Sequence, residues 1–179
     1  KAFKAPSSNE LARDYLWRVH NAVPAKGRIG IFDRSHYEDV LVVKVRGFAP
    51  AEAVEQRYGQ INAFEKHLAE NDVTIVKCML NVGYEEQGVR LAERLEEPHK
   101  FWKFNPADLE DRKLWPEFMS AYETAIARCS TRHAPWYVIP SDSRTRRNAM
   151  IARLVRGALE GMNLEWPDSK YKPGDFEIG

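Results

Sequence analysis

The sequence lacks several features that would place it quickly in a class of proteins. It has only two cysteines among 179 residues, Cys78 and Cys129, and their wide separation argues against a disulfide framework or a zinc site. No apolar run approaches the roughly 20 residues that span a bilayer, and the first residues lack a signal-peptide core. These absences favour a cytoplasmic protein that is not embedded in a membrane.

Common phosphate-binding motifs are also missing. Neither G-x-x-x-x-G-K-[ST] nor G-x-G-x-x-G occurs in the 179 residues. The chain begins at Lys1 without an initiator Met, and we expect residues to be missing upstream.

The charge is balanced overall but not along the chain. Twenty-seven basic and 26 acidic side chains give a net charge of +1, which argues against a nucleic-acid-binding protein that is basic throughout. Between Arg128 and Arg156, however, seven arginines accompany the single acid Asp142. This segment predicts one end of the molecule that faces a polyanion.

Strand-like and helix-like segments alternate along the chain. A mass of 20.7 kDa with 44% hydrophobic residues fits one globular domain over residues 1–179. Short apolar runs predict strands at 29–32, 73–82 and 136–140, with 29–32 buried and 73–82 covered on both faces. Apolar spacing predicts helices at about 9–19, 37–45, 49–70, 85–96, 117–128 and 143–161, the last with its apolar residues facing inward, followed by an irregular tail. Such alternation is typical of an α/β fold in which helices sandwich a parallel sheet.

Asp33 follows the predicted strand at 29–32. Open α/β sheets bind ligands beyond the carboxyl ends of their strands, where an acidic side chain can hold Mg²⁺ or orient a water molecule beside a phosphate. The alternative is structural, because Asp33 and Ser35 could instead form a polar strand terminus or cap a following helix.

A basic segment between Glu85 and Arg112 forms a second candidate site. Arg90 and Arg94 lie four residues apart on one helical face, and three more cations follow: Lys100, Lys103 and Arg112. Converging cations suit a transferring phosphoryl group, but the same residues could instead pair with neighbouring glutamates on a solvated helix. Trp102 could stack on a nucleotide base or could be a packing residue.

Several segments together resemble the second family of polyphosphate kinases. They are FKAPS (3–7), DYLWR (14–18), IGIFDRSHYEDVLVVKV (29–45), EEQGVRLAERLEEPHKFWKF (85–104) and SDSRTRRNAMIARLV (141–155). The resemblance implies a P-loop kinase fold similar to thymidylate kinase. It also implies phosphoryl transfer between inorganic polyphosphate and a nucleotide, AMP, ADP, GDP or GTP, with Mg²⁺ as cofactor.

The resemblance also assigns roles to residues. Asp33 would lie near the metal and Arg34 near a phosphate, as in a Walker B element. Residues 84–113 would form a mobile lid whose cations cover the reacting phosphates: Arg90, Arg94, Lys100 and Lys103. If the chain acts as such a kinase, we further expect Trp102 to contact the nucleotide and the basic end to guide polyphosphate through Arg144, Arg146 and Arg147.

The family's Walker A loop is expected upstream of Phe3, and the family's self-association suggests a homo-oligomer. Two other functions stay open at this point. One is a non-catalytic module that binds polyphosphate or nucleotide, and the other is a conventional ATP-dependent nucleoside monophosphate kinase. Polyphosphate-stimulated nucleotide formation would separate them.

Overall fold

Two parallel strands lie among eight α-helices in the part of the chain that the structure, a computed structural model, describes: residues 1–166, 168–172 and 174–177. Strand β1 (Lys77–Asn81) pairs with β2 (Trp136–Pro140), with Lys77 opposite Trp136 and Asn81 opposite Pro140. The crossover between them contains three helices, as parallel pairing requires. The helices are α1 (Ser8–Leu11), α2 (Trp17–His20), α3 (Val42–Val45), α4 (Ala51–Glu70), α5 (Tyr84–Glu96), α6 (Ala107–Lys113), α7 (Trp115–Cys129) and α8 (Arg144–Gly161).

The predicted buried strand at 29–32 is wrong. Ile29 and Ile31 are 72% and 80% exposed, and a single parallel bridge joins Ala2 to Asp33 at the end of the run. Apolar, β-branched residues favour extended backbone, but a strand also needs a neighbour for its peptide groups. Among the described residues, none pairs with 29–32 as a strand.

Strand β1 is shorter than the predicted 73–82 and is not covered on both faces. Val76 precedes it, and Leu80 within it is 47% exposed. The apolar run indicated a strand correctly, but its burial depends on layers that only the fold provides. Strand β2 has the predicted bounds.

The N-terminal helix is divided rather than continuous from about 9 to 19. Ser7 caps α1 in a capping box with Glu10. The Asp14 carboxylate then accepts hydrogen bonds from the Leu16 and Trp17 amides, both at 3.0 Å, which starts a new turn at α2. Residues 37–45 are helical as predicted, in two pieces: a 3₁₀ turn at His36–Asp39 and α3.

The core forms where α4 crosses α7. Val54, Tyr58 and Ile61 of α4 are at most 3% exposed, and they pack against the small residues Ala121 and Ala125 of α7. The small side chains let the two helices approach closely. The remaining members of this core cluster are Tyr37, Val40, Leu41 and Cys129. Each large apolar side chain buried in this way contributes about 1.5–3 kcal/mol.

Helix α8 does not face inward as predicted. None of its residues is buried, and Met150 and Val155 are about 40% exposed. The helix packs mainly against β2, and an apolar groove of about 580 Å³ remains open along Ile151, Val155 and Leu159. The predicted periodicity is present, but within the described ranges no second layer covers this face.

The C-terminal tail is irregular, and the helices are not of the membrane-spanning kind, over the residues that the structure describes. The described residues beyond Met162 contain neither helix nor strand, as predicted; Pro167, Pro173, Ile178 and Gly179 lie outside the described residues. No helix in the described ranges combines the length and the apolar character needed to cross a membrane.

Candidate active site

The loop at Asp33 and Arg34 has a fixed and unusual backbone. The Asp33 amide donates to the Lys1 carbonyl and the Asp33 carbonyl accepts from the Phe3 amide, each at 2.9 Å. Arg34 then adopts φ of +62°, a left-handed conformation that non-glycine residues rarely occupy. Such backbone conformations concentrate at functional sites and require support from their surroundings.

The side chains of Asp33, Arg34 and Ser35 differ in their contacts, and these contacts indicate different roles. Asp33 is exposed, and no ion pair or side-chain hydrogen bond holds its carboxylate among the described residues. Ser35 accepts a hydrogen bond from the Tyr37 amide at 3.3 Å, so the structural alternative of a helix cap is correct for Ser35. Arg34 is 63% exposed and lies 3.7 Å from Glu38.

The carboxyl group of Glu38, which lies beside Arg34, has a raised pKa. Burial raises the pKa of its carboxyl above the ordinary 4.5, and the Arg34 guanidinium opposes that shift only in part. Because the folded state binds this proton more tightly than the unfolded state, the stability linked to it is full below pH 4.5. It is lost as the pH rises through the raised value.

We therefore expect a Glu38→Gln variant to gain stability relative to the parent as the pH rises from about 4 to 7. Urea denaturation of both proteins at several pH values measures this difference. Asp39, whose pKa burial also raises, is present in both proteins and so cancels to first order. A parent protein that gains relative to the variant over this range would contradict the prediction.

Helix α5 is attached to the loop that follows β2. The Gly83 amide, just before α5, donates to Asp142 Oδ1 at 2.7 Å. Arg90 Nη2 donates to the carbonyls of Ser141 and Asp142, both at 2.8 Å, and its Nε binds Glu86 at 2.7 Å. Arg90 therefore joins the predicted lid segment (residues 84–113) to the carboxyl end of β2, where ligands bind in such sheets.

Two further cations of the predicted lid segment, Arg94 and Lys100, have acidic partners. Arg94 binds Asp108 at 2.8 Å, while Lys100 binds Glu93 at 2.9 Å and Glu97 at 2.8 Å. The hydrogen bonds of Lys100 to Glu97 and Glu93 raise the pKa of its ammonium group. Pairing with neighbouring glutamates, the alternative interpretation, is thus observed for Arg90 and Lys100. Lys100 carries its full charge at neutral pH.

Trp102 and Lys103 lie on the surface. Trp102 is 77% exposed, so the alternative that it is a packing residue is wrong. Lys103 Nζ lies 5.0 Å from the centre of the Trp102 ring, a cation–π distance. An exposed aromatic face beside a cation can stack a base, and that role stays a prediction.

Gly88, which costs about 1 kcal/mol relative to alanine within a helix, has a packing reason in α5. A Cβ at this position would lie 3.0 Å from Arg112 Nη2. The Arg112 guanidinium lies 3.5 Å from the Tyr84 ring centre and donates to the Tyr84 carbonyl at 2.7 Å. Arg112 thus stabilises the helix start rather than extending towards a ligand.

The basic residues at the start of α8 are mostly exposed. Arg144 Nη2 lies 3.9 Å from Glu93, so α8 begins beside α5. Arg146 is exposed, and its amide donates to the capping Ser143 hydroxyl at 3.4 Å. Arg147 is half-buried and binds Asn148.

The structure therefore brings some predicted site residues together and leaves others apart. Arg90 and Arg144 both lie where α5 meets the start of α8. Within the described residues, no hydrogen bond or ion pair joins Asp33 or Arg34 to a cation of the predicted lid segment. The grouping of all ten candidates around one ligand stays a prediction.

A buried polar network beneath the Asp33 loop was not predicted. Glu65 of α4 is fully buried; its Oε1 lies 3.1 Å from His36 Nε2 and its Oε2 accepts from Lys77 Nζ at 2.5 Å. Lys77 Nζ also donates to the Tyr37 hydroxyl and the Cys129 carbonyl. The signals were a glutamate on the apolar face of α4 and a lysine inside an apolar strand. Burial lowers the pKa of Lys77, whereas the Glu65 carboxylate opposes that shift.

Known proteins resemble this chain over most of its length. The chain is 49% identical over 166 residues to an AMP/ADP-polyphosphate phosphotransferase of Meiothermus ruber, covering 93% of this chain and 62% of that protein. It is 37% identical over 180 residues to an ADP-polyphosphate phosphotransferase of Rhodopseudomonas palustris, covering 94% of this chain and 62% of that protein. The chain thus spans less than two thirds of the length of these relatives.

A solved structure is also similar to this chain in fold. The crystal structure of polyphosphate kinase 2 from Arthrobacter aurescens TC1 superimposes with a TM-score of 0.94 at 44% identity, over 97% of this chain and 61% of that one. This likeness confirms the predicted α/β fold of the P-loop kinase class. The profile of the family described as polyphosphate kinase 2 matches residues 1–167. The chain therefore belongs to the polyphosphate kinase 2 family.

Proposed function

We propose that this chain is part of a polyphosphate-dependent nucleotide kinase, which transfers a phosphoryl group between inorganic polyphosphate and AMP or ADP. The observation that carries the proposal is the family match over residues 1–167, and the names of both relatives agree with it. Because the chain spans 62% of each relative, we assign the activity to the chain together with a segment that supplies a phosphate-binding loop. Use of GDP or GTP, a homo-oligomeric state and a cytoplasmic location stay predictions.

Mg²⁺ fits the exposed carboxylate of Asp33. This cation keeps several waters and is usually held by one or two carboxylates together with substrate phosphates, rather than by a complete protein cage. Asp33 offers such a single carboxylate, and no group of three or more potential metal ligands occurs among the described residues. When bound, Mg²⁺ would neutralise charge on the phosphate oxygens. Arg34, beside Asp33 and 63% exposed, lies 3.7 Å from Glu38, and the same phosphates could replace that carboxylate.

The paired cations of the predicted lid segment support binding of a phosphate chain. Arginine and lysine bind phosphate and carboxylate oxygens through the same charge-assisted hydrogen bonds. Phosphates could therefore replace Asp108 at Arg94, and Glu93 and Glu97 at Lys100. Closure of residues 84–113 over the substrate would exclude water and limit hydrolysis of the polyphosphate.

Nucleotide formation tests this proposal directly. The 179-residue chain and a form extended upstream through the expected phosphate-binding loop are incubated with ADP or AMP, long-chain polyphosphate and Mg²⁺. We expect ATP from ADP, or ADP from AMP, in the extended form and only when polyphosphate is present. Omission of polyphosphate is the control for contaminating kinases.

Two other results would each replace the proposal. A requirement for ATP as donor would indicate a conventional nucleoside monophosphate kinase. No transfer by either form, with polyphosphate binding that weakens as salt is added, would indicate a non-catalytic binding module. The lack of a P-loop motif in these 179 residues is the observation that keeps this second function in the test.

A further inference from the structure

We propose that His36 and Glu65 are positioning residues, whose buried hydrogen bond holds the Asp33–Arg34 loop in its active shape. The inference rests on the proposed function for its catalytic meaning, but the anchoring itself can be measured separately. Both side chains are too buried to contact a substrate directly, since His36 is 8% exposed and Glu65 is fully buried.

The loop needs support on its C-terminal side. Arg34 has φ of +62°, and a left-handed conformation at a non-glycine residue costs of order 1 kcal/mol or more. The backbone bonds of Asp33 to Lys1 and Phe3 fix the N-terminal side. On the other side, Ser35 is extended and His36 is the first residue whose side chain enters the core.

His36 is suited to be that anchor. Its Nε2 lies 3.1 Å from Glu65 Oε1, and its ring packs against Tyr37 and Phe64 with centroids 4.8 and 5.6 Å away. Glu65 in turn is fixed by Lys77 at 2.5 Å. The loop is therefore tied through one side chain to both α4 and β1.

The cost of this arrangement also argues for a role beyond packing. Removing a carboxylate from water is expensive, and replacing a buried ion pair with apolar residues of similar size is often neutral or stabilising. A fully buried glutamate between a histidine and a lysine is therefore a poor choice for stability alone. Its hydrogen bonds are directional, so it fixes His36 in one place and orientation.

A matched pair of variants isolates the Nε2 contact. The amide of glutamine can occupy the place of His36 Nε2, whereas that of asparagine is too short and reaches only the place of Nδ1. His36→Gln should therefore keep the anchor, and His36→Asn should lose it. Glu70→Gln, which removes an exposed carboxylate from the same helix as Glu65, is the control for charge.

Cleavage by trypsin measures how firmly the loop is held in the 179-residue chain itself, because the Arg34–Ser35 bond lies in the loop. The rate of cleavage there is compared by mass spectrometry with that at the exposed Lys103–Phe104 bond. We expect His36→Asn to raise this ratio about tenfold, since proteolysis follows the population of locally open chains. His36→Gln and Glu70→Gln should stay within about twofold of the parent. A ratio that is unchanged in His36→Asn would overturn the anchor; should that variant fail to fold, His36→Phe takes its place in the same comparison.

Steady-state kinetics of the extended form test whether the His36 anchor contributes to catalysis. We expect His36→Asn to lower kcat for polyphosphate-dependent phosphorylation by about 10- to 100-fold, because small displacements of a reacting site are costly. KM for the nucleotide should change less than about threefold, and His36→Gln should restore kcat. Faster cleavage with an unchanged kcat would overturn the positioning role. An inactive parent would contradict the proposed function instead, and the trypsin ratio would still decide whether the anchor exists.

Discussion

Replacing Lys77 with methionine should lower the free energy of unfolding by about 3–5 kcal/mol, because it leaves the buried Glu65 carboxylate without its cation. Methionine extends as far as the lysine Cε and lacks only the terminal ammonium group, so the change removes the charge with little loss of volume. The variant also deprives the Tyr37 hydroxyl and the Cys129 carbonyl of a hydrogen-bond donor. Urea denaturation followed by circular dichroism measures the loss.

Two comparisons make this prediction specific. Lys66→Met removes an exposed lysine, 3.6 Å from Glu70, and should cost less than about 1 kcal/mol. Adding Glu65→Gln to Lys77→Met removes the uncompensated charge and should recover a large part of the loss. If Lys77→Met lost less than about 1 kcal/mol, the Glu65 carboxylate would have to be neutral or hydrated in the folded protein.

The long helices could be predicted from the sequence because each satisfies its own backbone. The residues of α4 and α7 repeat at the spacing of one helical face, and the predicted bounds differ from the observed ones by about two residues. The predicted strand at 29–32 failed for the opposite reason. Its composition suits a strand, but a strand exists only beside another, and none pairs with 29–32 in the described part of the chain.

Burial was harder to predict than secondary structure. The apolar residues of α8 have helical spacing, yet Val155 is 40% exposed because burial depends on what lies opposite. Glu65 shows the converse, since a glutamate on the apolar face of α4 could have been an exposed residue at the margin of the stripe. Only the fold brings His36 and Lys77 from 29 and 12 residues away to its two oxygens.

For the candidate site, residue types were predictable but partners were not. Family resemblance pointed to Asp33 and the lid cations, and their spacing was compatible with that assignment. It could not show that Arg90 binds backbone carbonyls after β2 or that Lys100 binds two glutamates. The Arg90 contacts depend on the relative placement of α5 and β2, which no local sequence pattern encodes. The Lys100 pairs are local, and the sequence offered them only as one of two alternatives.

Asp33→Asn should lower kcat for polyphosphate-dependent phosphorylation in the extended form by about 10²- to 10³-fold, the order of loss seen when one group that stabilises developing charge is removed from an active site. Asparagine keeps the size of the side chain and removes the charge that the proposed Mg²⁺ role requires. Because Asp33 is exposed and has no ion-pair partner among the described residues, the free energy of unfolding should change by less than about 0.5 kcal/mol.

The dependence on Mg²⁺ distinguishes a metal role from a merely structural one. If Asp33 contributes a ligand, Asp33→Asn needs a higher Mg²⁺ concentration for half-maximal activity, whereas a displaced loop would lower kcat at every Mg²⁺ concentration alike. Asp72→Asn, which changes an exposed carboxylate paired with Lys26, should match the parent in both respects. Full activity of Asp33→Asn at the parent's Mg²⁺ requirement would exclude Asp33 as a ligand, and the metal would then have to be held by substrate phosphates and other residues.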